Sequence, residues 1–279
     1  MSGILYVVGT PIGNLGDISP RALDILEKCD FIAAEDTRVT LKLLNHFGIK
    51  KPMISYFEHN RFERGPVIAD RILSGETAAI VTDAGMPAIS DPGEDLVKLC
   101  AENGIAVQSI PGCCACITAL AVSGLPTGRF TFEGFLSANR KERREQLSEL
   151  LGETRTMVFH EAPHKLRPTL SDMLEILGER PIALCRELTK LNEDIHRTTL
   201  GGAVDYYNEN NPRGEYVLVV EGAPEGSVKT KADDLCSLSI EEHVKHYVDS
   251  GMSQKDAIKA TARDRGVPKN EIYMVFANN

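Results

Sequence analysis

Four short apolar runs, each closed by a loop rich in glycine or proline and followed by a helical pattern, recur within about 110 residues and leave few folds open. They lie at 4–8, 31–34, 78–82 and 105–110. A short run as apolar as 4–8 suits a strand buried on both faces of a parallel sheet, and the alternation of the four runs with helices predicts the α/β class. After the first run, Ser19-Pro20 supplies an N-cap and a proline in the first helical turn, and Ala22, Leu23, Ile25 and Leu26 form the apolar face that packs back on the sheet. The loops at 9–17, 83–93 and 111–116 are expected on one edge, the carboxyl end of the strands, where open α/β sheets bind ligands. Residues 41–47 continue a helix up to Gly48. The block 54–64 mixes aromatic, polar and charged residues and reads either as a substrate-facing loop or as an amphipathic connector.

Gly124-Leu125-Pro126-Thr127-Gly128 marks the best boundary in the chain. Beyond it the pattern is less regular: strands at 130–135, 156–160, 182–186 and 216–220, helices at 140–151 and 165–178, and a hairpin-like turn at 210–214 between the last two strands. The stretch 222–231, rich in Gly, Pro, Glu and Lys, ends this half and places a linker over 226–236. Three short helices follow at 240–249, 253–265 and 270–276, the second opening on Ser253 and Asp256 at capping-box spacing. The expected organisation is an α/β domain over 1–123, a second over 124–225, the linker, and a three-helix module over 237–279. Lys255, Lys259 and Arg263 recur every four residues on the middle helix of that module, as either a solvated face or the basic stripe of a small nucleic-acid reader.

Forty acidic residues against 31 basic ones, a net charge of -9, argue against a generally basic nucleic-acid coat and leave a local basic patch as the route to a polyanion. The seven cysteines are odd in number and mostly in apolar surroundings, as reduced thiols of a cytosolic protein are. No apolar run of eighteen residues is present and no signal-like segment opens the chain, so a soluble, cytoplasmic protein with no membrane association is expected.

Several chemical motifs fail on spacing. Gly9, Gly13 and Gly16, with Pro11 among them, depart from the dinucleotide fingerprint, and no Gly-Lys-Ser/Thr is present for a P-loop. The C-x-x-C at 113–116 has no second pair or nearby histidine to complete a zinc site and reads as small-residue packing. His160-Glu161 and His164 suggest metal or base chemistry only weakly, and no metal is expected. Glu35 and Asp36, delivered to the end of the second strand, are the carboxylates placed to act as a base. Their alternative role is to pair with Arg38 or Arg186 and stiffen a cleft.

The blocks VGTPIGNLGDISPRAL, AAEDTR, TDAGMPAISDPG, IPGCCACITAL, FEGFLSANRKERR, VFHEAPHKL, CRELTKLNEDIHR and GEYVLVVEG stand in an order and spacing that resembles the ribosomal RNA small subunit methyltransferase I family of the tetrapyrrole methylase superfamily. The resemblance covers nearly the whole chain. It implies two α/β domains with S-adenosylmethionine in the cleft between them, and 2'-O-methylation of a cytidine ribose in the decoding centre of small-subunit RNA, read in the assembled particle by a homodimer. It places Pro11, Asp83, Gly85, Met86, Cys114, Ala115, Ala162, Leu188 and Gly214 around the cofactor. Glu35, Asp36, Arg38 and Glu187 become the catalytic candidates, Arg38, Arg186 and Glu187 also serving to position the RNA. Arg140, Lys141, Arg143 and Arg144, with the stripe on the tail, become the phosphate contacts. Two departures stand out: Cys114 replaces a hydroxyl common in the family, and Ser137 follows Gly134-Phe135-Leu136 where a proline is common.

The alternative within the superfamily is a tetrapyrrole or other small-molecule methylase, and a third reading is a non-catalytic ribosome-assembly factor that binds RNA through the tail. Deleting residues 237–279 is expected to abolish methylation of an RNA substrate, whereas a small-molecule methylase would keep full activity, as a labelled-methyl transfer assay would reveal.

Overall fold

A computed structural model describes residues 3–224, 235 and 238–277. The first sheet contains β1 (Ile4–Val8), β2 (Phe31–Ala34), β3 (Met53–Ser55), β4 (Ala78–Val81) and β5 (Ala106–Ile110), all parallel, in the order β3-β2-β4-β1-β5. Every residue of β2 is buried: Phe31 and Ala33 enter the core on one face, Ile32 and Ala34 the core on the other. That two-sided burial is why the strand is apolar throughout instead of alternating.

α1 (Pro20–Lys28) and α2 (Thr37–His46) contribute to the core on one face, and α3 (Arg61–Leu73) and α4 (Gly93–Glu102) to the core on the other. Connections leaving the neighbours β1 and β4 therefore cross in opposite directions, the switch point at which such sheets bind ligands. Ser19 caps α1 by accepting from the Ala22 amide at 3.1 Å, and Pro20 sits in the first turn, as expected. The block 54–64 is neither a free loop nor a simple connector. Its start completes the edge strand β3 and its end opens α3, with Pro66 inside the helix.

The second sheet runs β6 (Phe130–Phe135), β7 (Thr156–Glu161), β10 (Tyr216–Val220), β8 (Pro181–Arg186), β9 (Asp194–Thr199), parallel between β6 and β7 and antiparallel elsewhere. β8 and β10 are neighbours, but no tight hairpin joins them. β9 and α8 (Leu200–Glu209) lie between them in the chain, and 210–214 connects α8 to β10. β9 escapes a search for apolar runs because Asp194-Ile195-His196-Arg197-Thr198-Thr199 is an exposed, polar edge strand. α6 (Arg140–Glu149), α7 (Pro163–Leu177) and α8 cover one face of this sheet.

α5 (Ala115–Ser123) covers the other face, packing Cys116, Ala119 and Leu120 against Val158, Ala183, Cys185, Val217 and Val219. By packing it belongs to the second half, although the glycine-rich boundary lies after it. Its small apolar residues surround the whole helix and give no amphipathic stripe from which a partner sheet can be read.

α9 (Ile240–Asp249), α10 (Gln254–Asp264) and α11 (Lys269–Ala277) form a separate small core around Val244, Ala257, Ile258, Ala262 and Ile272. The full capping box is at Ser239 and Glu242, each satisfying the other's amide. At Ser253 the reciprocal backbone bond is missing, and Asp256 instead accepts from the serine hydroxyl at 2.7 Å. The expected linker, 226–236, lies outside the described residues except for Leu235. Among the described residues, no helix is long and apolar enough to cross a membrane.

The basic run on α6 turns inward. Arg143, 4% exposed, donates from Nε and Nη2 to Asp172 Oδ2 at 2.9 and 2.6 Å, while Arg144 grips Asp172 and Glu175, and Arg140 approaches the same acids. The expected phosphate contact is corrected for Arg143, whose guanidinium is enclosed and committed. Arg140 and Arg144 are neutralised from α7, which leaves Lys141 facing solvent beside Glu145. Burial by itself would raise the Asp172 pKa, but the bonds from Arg143 and Arg144 outweigh it and hold the carboxyl below its ordinary value. The resulting stability is present above the unfolded-state pKa and is lost as pH falls through the lowered folded value. Asp172→Ala strands a buried guanidinium and is expected to cost about 3–5 kcal/mol in urea unfolding, with Asp172→Asn costing less.

Candidate active site

Three loops converge at the carboxyl edge of the first sheet. Thr10 and Gly85 exchange backbone hydrogen bonds of 2.9 and 3.2 Å, tying the loop after β1 to the loop after β4. The Gly9 amide donates to Ile110 O at 3.2 Å, and a Cβ built on Gly9 would lie 2.7 Å from the Gly112 Cα. Only two glycines allow this approach, so these positions hold the first and last loops in register.

Between this edge and the second sheet is a cavity of 480 Å³. Ile12 and Ala84 wall it from the first sheet's loops, Ala115 from the start of α5, and Phe135, His160, Glu161, Ala162, Leu188 and Val217 from the second half. Adjoining it is a groove of 440 Å³ lined by Pro11, Thr82 and Asp83, which shares Ile12, Ala84, Lys190 and Glu215 with the cavity. Of the residues expected around a cofactor, Ala115, Ala162 and Leu188 line the cavity, and Pro11 and Asp83 line the groove. The other four are placed behind these walls. Gly85 makes the bridge to Thr10, Met86 packs on the core beneath the first sheet, Cys114 precedes α5 with its thiol 3.4 Å from Cys116, and Gly214 backs Glu187.

Glu187 lines the cavity in a left-handed backbone conformation, φ 53°, and Thr189 follows at φ 65°. Strained residues of this kind persist where the surroundings over-determine them. Glu187 Oε1 accepts from Lys190 Nζ and from the Glu215 amide, both at 2.9 Å. The lysine, with that amide, holds its carboxyl below the usual range. Gly214, at φ 77°, is what makes room: a Cβ there would lie 2.5 Å from Glu187 Cγ.

Glu35, Asp36 and Arg38 stand outside the cavity, behind and beside the groove. Glu35 accepts from the Thr82 hydroxyl and from the Asp83 amide, and the Asp36 amide donates to Asp83 Oδ1 at 3.1 Å. Burial, then the charge of Glu35, raises the Asp83 pKa. Asp36 is otherwise engaged: it caps α2 at the Arg38 amide and pairs with the Arg38 guanidinium, which brings its pKa down to about 2. A carboxylate so stabilised is a weak proton acceptor, so the expectation of a base narrows to Glu35.

Motif reasoning passed over His160, Glu161, Lys190 and Glu215 as site residues. His160 is enclosed by Phe132 and Phe135, burial lowers its pKa, and its Nε2 has no hydrogen-bond partner among the described residues. Its place at a strand end, in VFHEAPH, was the available signal. Arg186 follows Cys185 on β8 and faces the opposite side of the sheet, lining a different cavity. Lys255, Lys259 and Arg263 are exposed on one side of α10, opposite its buried Ala257, Ile258, Thr261 and Ala262. No group of three or more metal-ligating side chains is present among the described residues. Gly214→Ala is expected to displace Glu187 and lower stability by about 1–3 kcal/mol, measurable by chemical denaturation.

The profile of the tetrapyrrole (corrin/porphyrin) methylases matches residues 4–204. A Halalkalibacterium halodurans protein named ribosomal RNA small subunit methyltransferase I is 50% identical over 276 residues, covering 98% of this chain and 94% of its own. Its Bacillus subtilis namesake is 46% identical over 274 residues, covering 98% and 94%. Among solved structures, cobalt precorrin-4 methyltransferase superposes with a TM-score of 0.58 at 19% identity, covering 78% of this chain and 94% of its own. The Thermus thermophilus uroporphyrin-III C-methyl transferase complexed with S-adenyl homocysteine does so with a TM-score of 0.54 at 17% identity, covering 78% and 97%. At those identities the structures speak for the fold, and the sequence relatives speak for the family. The chain belongs to the ribosomal RNA small subunit methyltransferase I family, within the tetrapyrrole methylases.

Proposed function

We propose that the protein uses S-adenosylmethionine to methylate the ribose 2'-oxygen of a cytidine in the decoding centre of small-subunit ribosomal RNA. The observation that carries this reading is the apolar cavity opening onto a groove walled by Thr82 and Asp83, with the Glu35 carboxylate bonded to both behind that wall, in a chain related along almost its entire length to rRNA methyltransferases. The relatedness includes the helical tail, which lies beyond the part matched by the methylase profile.

The cavity fits the cofactor. Ala115, Ala162 and Leu188 offer apolar surface, Glu187 and Glu215 put negative charge at the rim for a cationic ligand, and the unpartnered His160 Nε2 is a polar atom awaiting a bond. When bound, the sulfonium supplies a methyl group that needs no further activation. The protein then has to hold the ribose oxygen in line and receive its proton. Alignment is the larger contribution, several kcal/mol in favourable cases, and a positioned base adds about 10² to 10⁴ in rate. Glu35 is the base in this scheme, its carboxylate taking the 2'-hydroxyl proton as the oxygen–methyl bond forms. Asp83, at the groove wall, shares charge with it. Exposed Lys141, Lys255, Lys259 and Arg263 contribute phosphate contacts that a protein of net charge -9 otherwise lacks.

The decisive experiment supplies methyl-labelled S-adenosylmethionine and undermethylated small subunits, digests the RNA, and identifies the nucleoside. Label on a cytidine ribose is expected, and label on a base or on no RNA rejects the proposal. Glu35→Gln is expected to lower kcat by about 10² to 10⁴ with cofactor affinity kept, while Asp36→Asn, which keeps the cap on α2 and loses only the exposed Arg38 pair, leaves kcat near wild type. Activity should also fall as pH drops through the raised Asp83 pKa, because the carboxylate pair then takes up a proton; Asp83→Asn should shift that limb of the pH profile.

A further inference from the structure

On the face of the second sheet opposite α5, a cavity of 320 Å³ is lined by Arg186, Arg213, Asp194, Tyr206, Asn211 and Tyr216, among others. Tyr216 also lines the larger cavity, so the two are one side chain apart. Neither the Arg186 nor the Arg213 guanidinium makes an ion pair or hydrogen bond among the described residues, and Arg186 Nε is buried without a partner. Most other arginines of this acidic chain are occupied, Arg143, Arg144, Arg155, Arg167 and Arg197 all donating to carboxylates or carbonyls, while the exposed Arg129 has no such partner among the described residues. A desolvated guanidinium N–H with no acceptor is costly; the buried Arg186 Nε is one, and with the exposed, unpaired Arg213 guanidinium lining the same cavity it points to an anionic ligand. Asp194 and Glu209 also line it, so a bare anion is a poor match. A nucleotide answers both, with phosphate oxygens for the arginines and amino or hydroxyl donors for the acids. Tyr206, 45% exposed, offers a ring for a base.

We propose that this cavity is a nucleotide subsite of the RNA substrate, taking a phosphate on Arg186 and Arg213 and the base of the same nucleotide against Tyr206. The proposal rests on the reading of the protein as an RNA methyltransferase. Tyr216, shared by both cavities, would place that nucleotide one side chain from the cofactor cavity.

The test compares wild type with Arg213→Ala, Arg213→Lys and Tyr206→Ala, using undermethylated small subunits. Arg213 is exposed and its side chain makes no internal bond, so its removal leaves the fold intact; Arg186→Ala is a second variant, checked first for folding. Arg213→Ala is expected to raise KM for subunits about tenfold with cofactor affinity unchanged, with Arg213→Lys restoring part of the loss. It should also make the slope of log affinity against log salt shallower by about 0.7, the signature of one lost single-strand phosphate contact. Tyr206→Ala should weaken subunit binding about tenfold without changing that slope. If wild type methylates subunits and the variants match it in KM and salt slope, the subsite is overturned while the enzyme reading stands. If wild type transfers no methyl group to RNA, the enzyme reading fails and the subsite falls with it.

Discussion

The close approach of Gly9 and Gly112, with the Thr10–Gly85 backbone bridge beside it, is the constraint on which the site depends. It fastens the loops after β1, β4 and β5 to one another at one sheet edge. Because the last of these loops leads straight into α5, and α5 is buried on the second sheet, the same tie fixes how the two halves meet. The cavity walls at Ile12, Ala84 and Ala115 each sit within a few residues of the tie. A side chain at either glycine would separate the loops and open the cavity at its floor.

Opposite that floor the second half supplies a rim whose shape is held by strain and charge together. Glu187 and Thr189 adopt backbone angles that favour glycine, and Lys190 is drawn between Glu187 and Glu215 at 2.9 and 2.7 Å. Such pairs are only partly shielded from water, so their value lies more in fixing direction than in stability. Gly214 gives the Glu187 carboxylate the space it occupies. The arrangement sets Glu187 and Glu215, with Lys190 between them, at the edge of an apolar interior.

Charge in the rest of the molecule is distributed by a similar logic. The arginines of α6 are drawn onto Asp172 and Glu175 and spend their charge on the packing of α6 against α7. Two arginines without internal partners among the described residues, Arg186 and Arg213, line one cavity.

Much of the fold was legible locally. Apolar runs, the Ser19-Pro20 start and the glycine and proline loops reveal β1, β2, β4 and β5 and bring their loops to one edge, because each signal depends on residues within a few positions of one another. The polar edge strand β9, the short β3 and the helix α8 carry no such pattern, since exposed edges and short pairings are selected by neighbours far away in sequence. The sequence by itself determined the strand–helix alternation and the family, and it named Ala115, Ala162, Glu187 and Leu188 of the cavity wall. Tertiary structure alone decided that α5 serves the second sheet, that Arg143 belongs to Asp172 29 residues away, that Asp36 is spent on Arg38 while Glu35 is bonded to Thr82 and Asp83 behind the groove wall, and that His160 lies against the cavity. The physical reason is that burial and charge pairing depend on which groups meet after the chain has folded, and a run of residues records only its own half of each encounter.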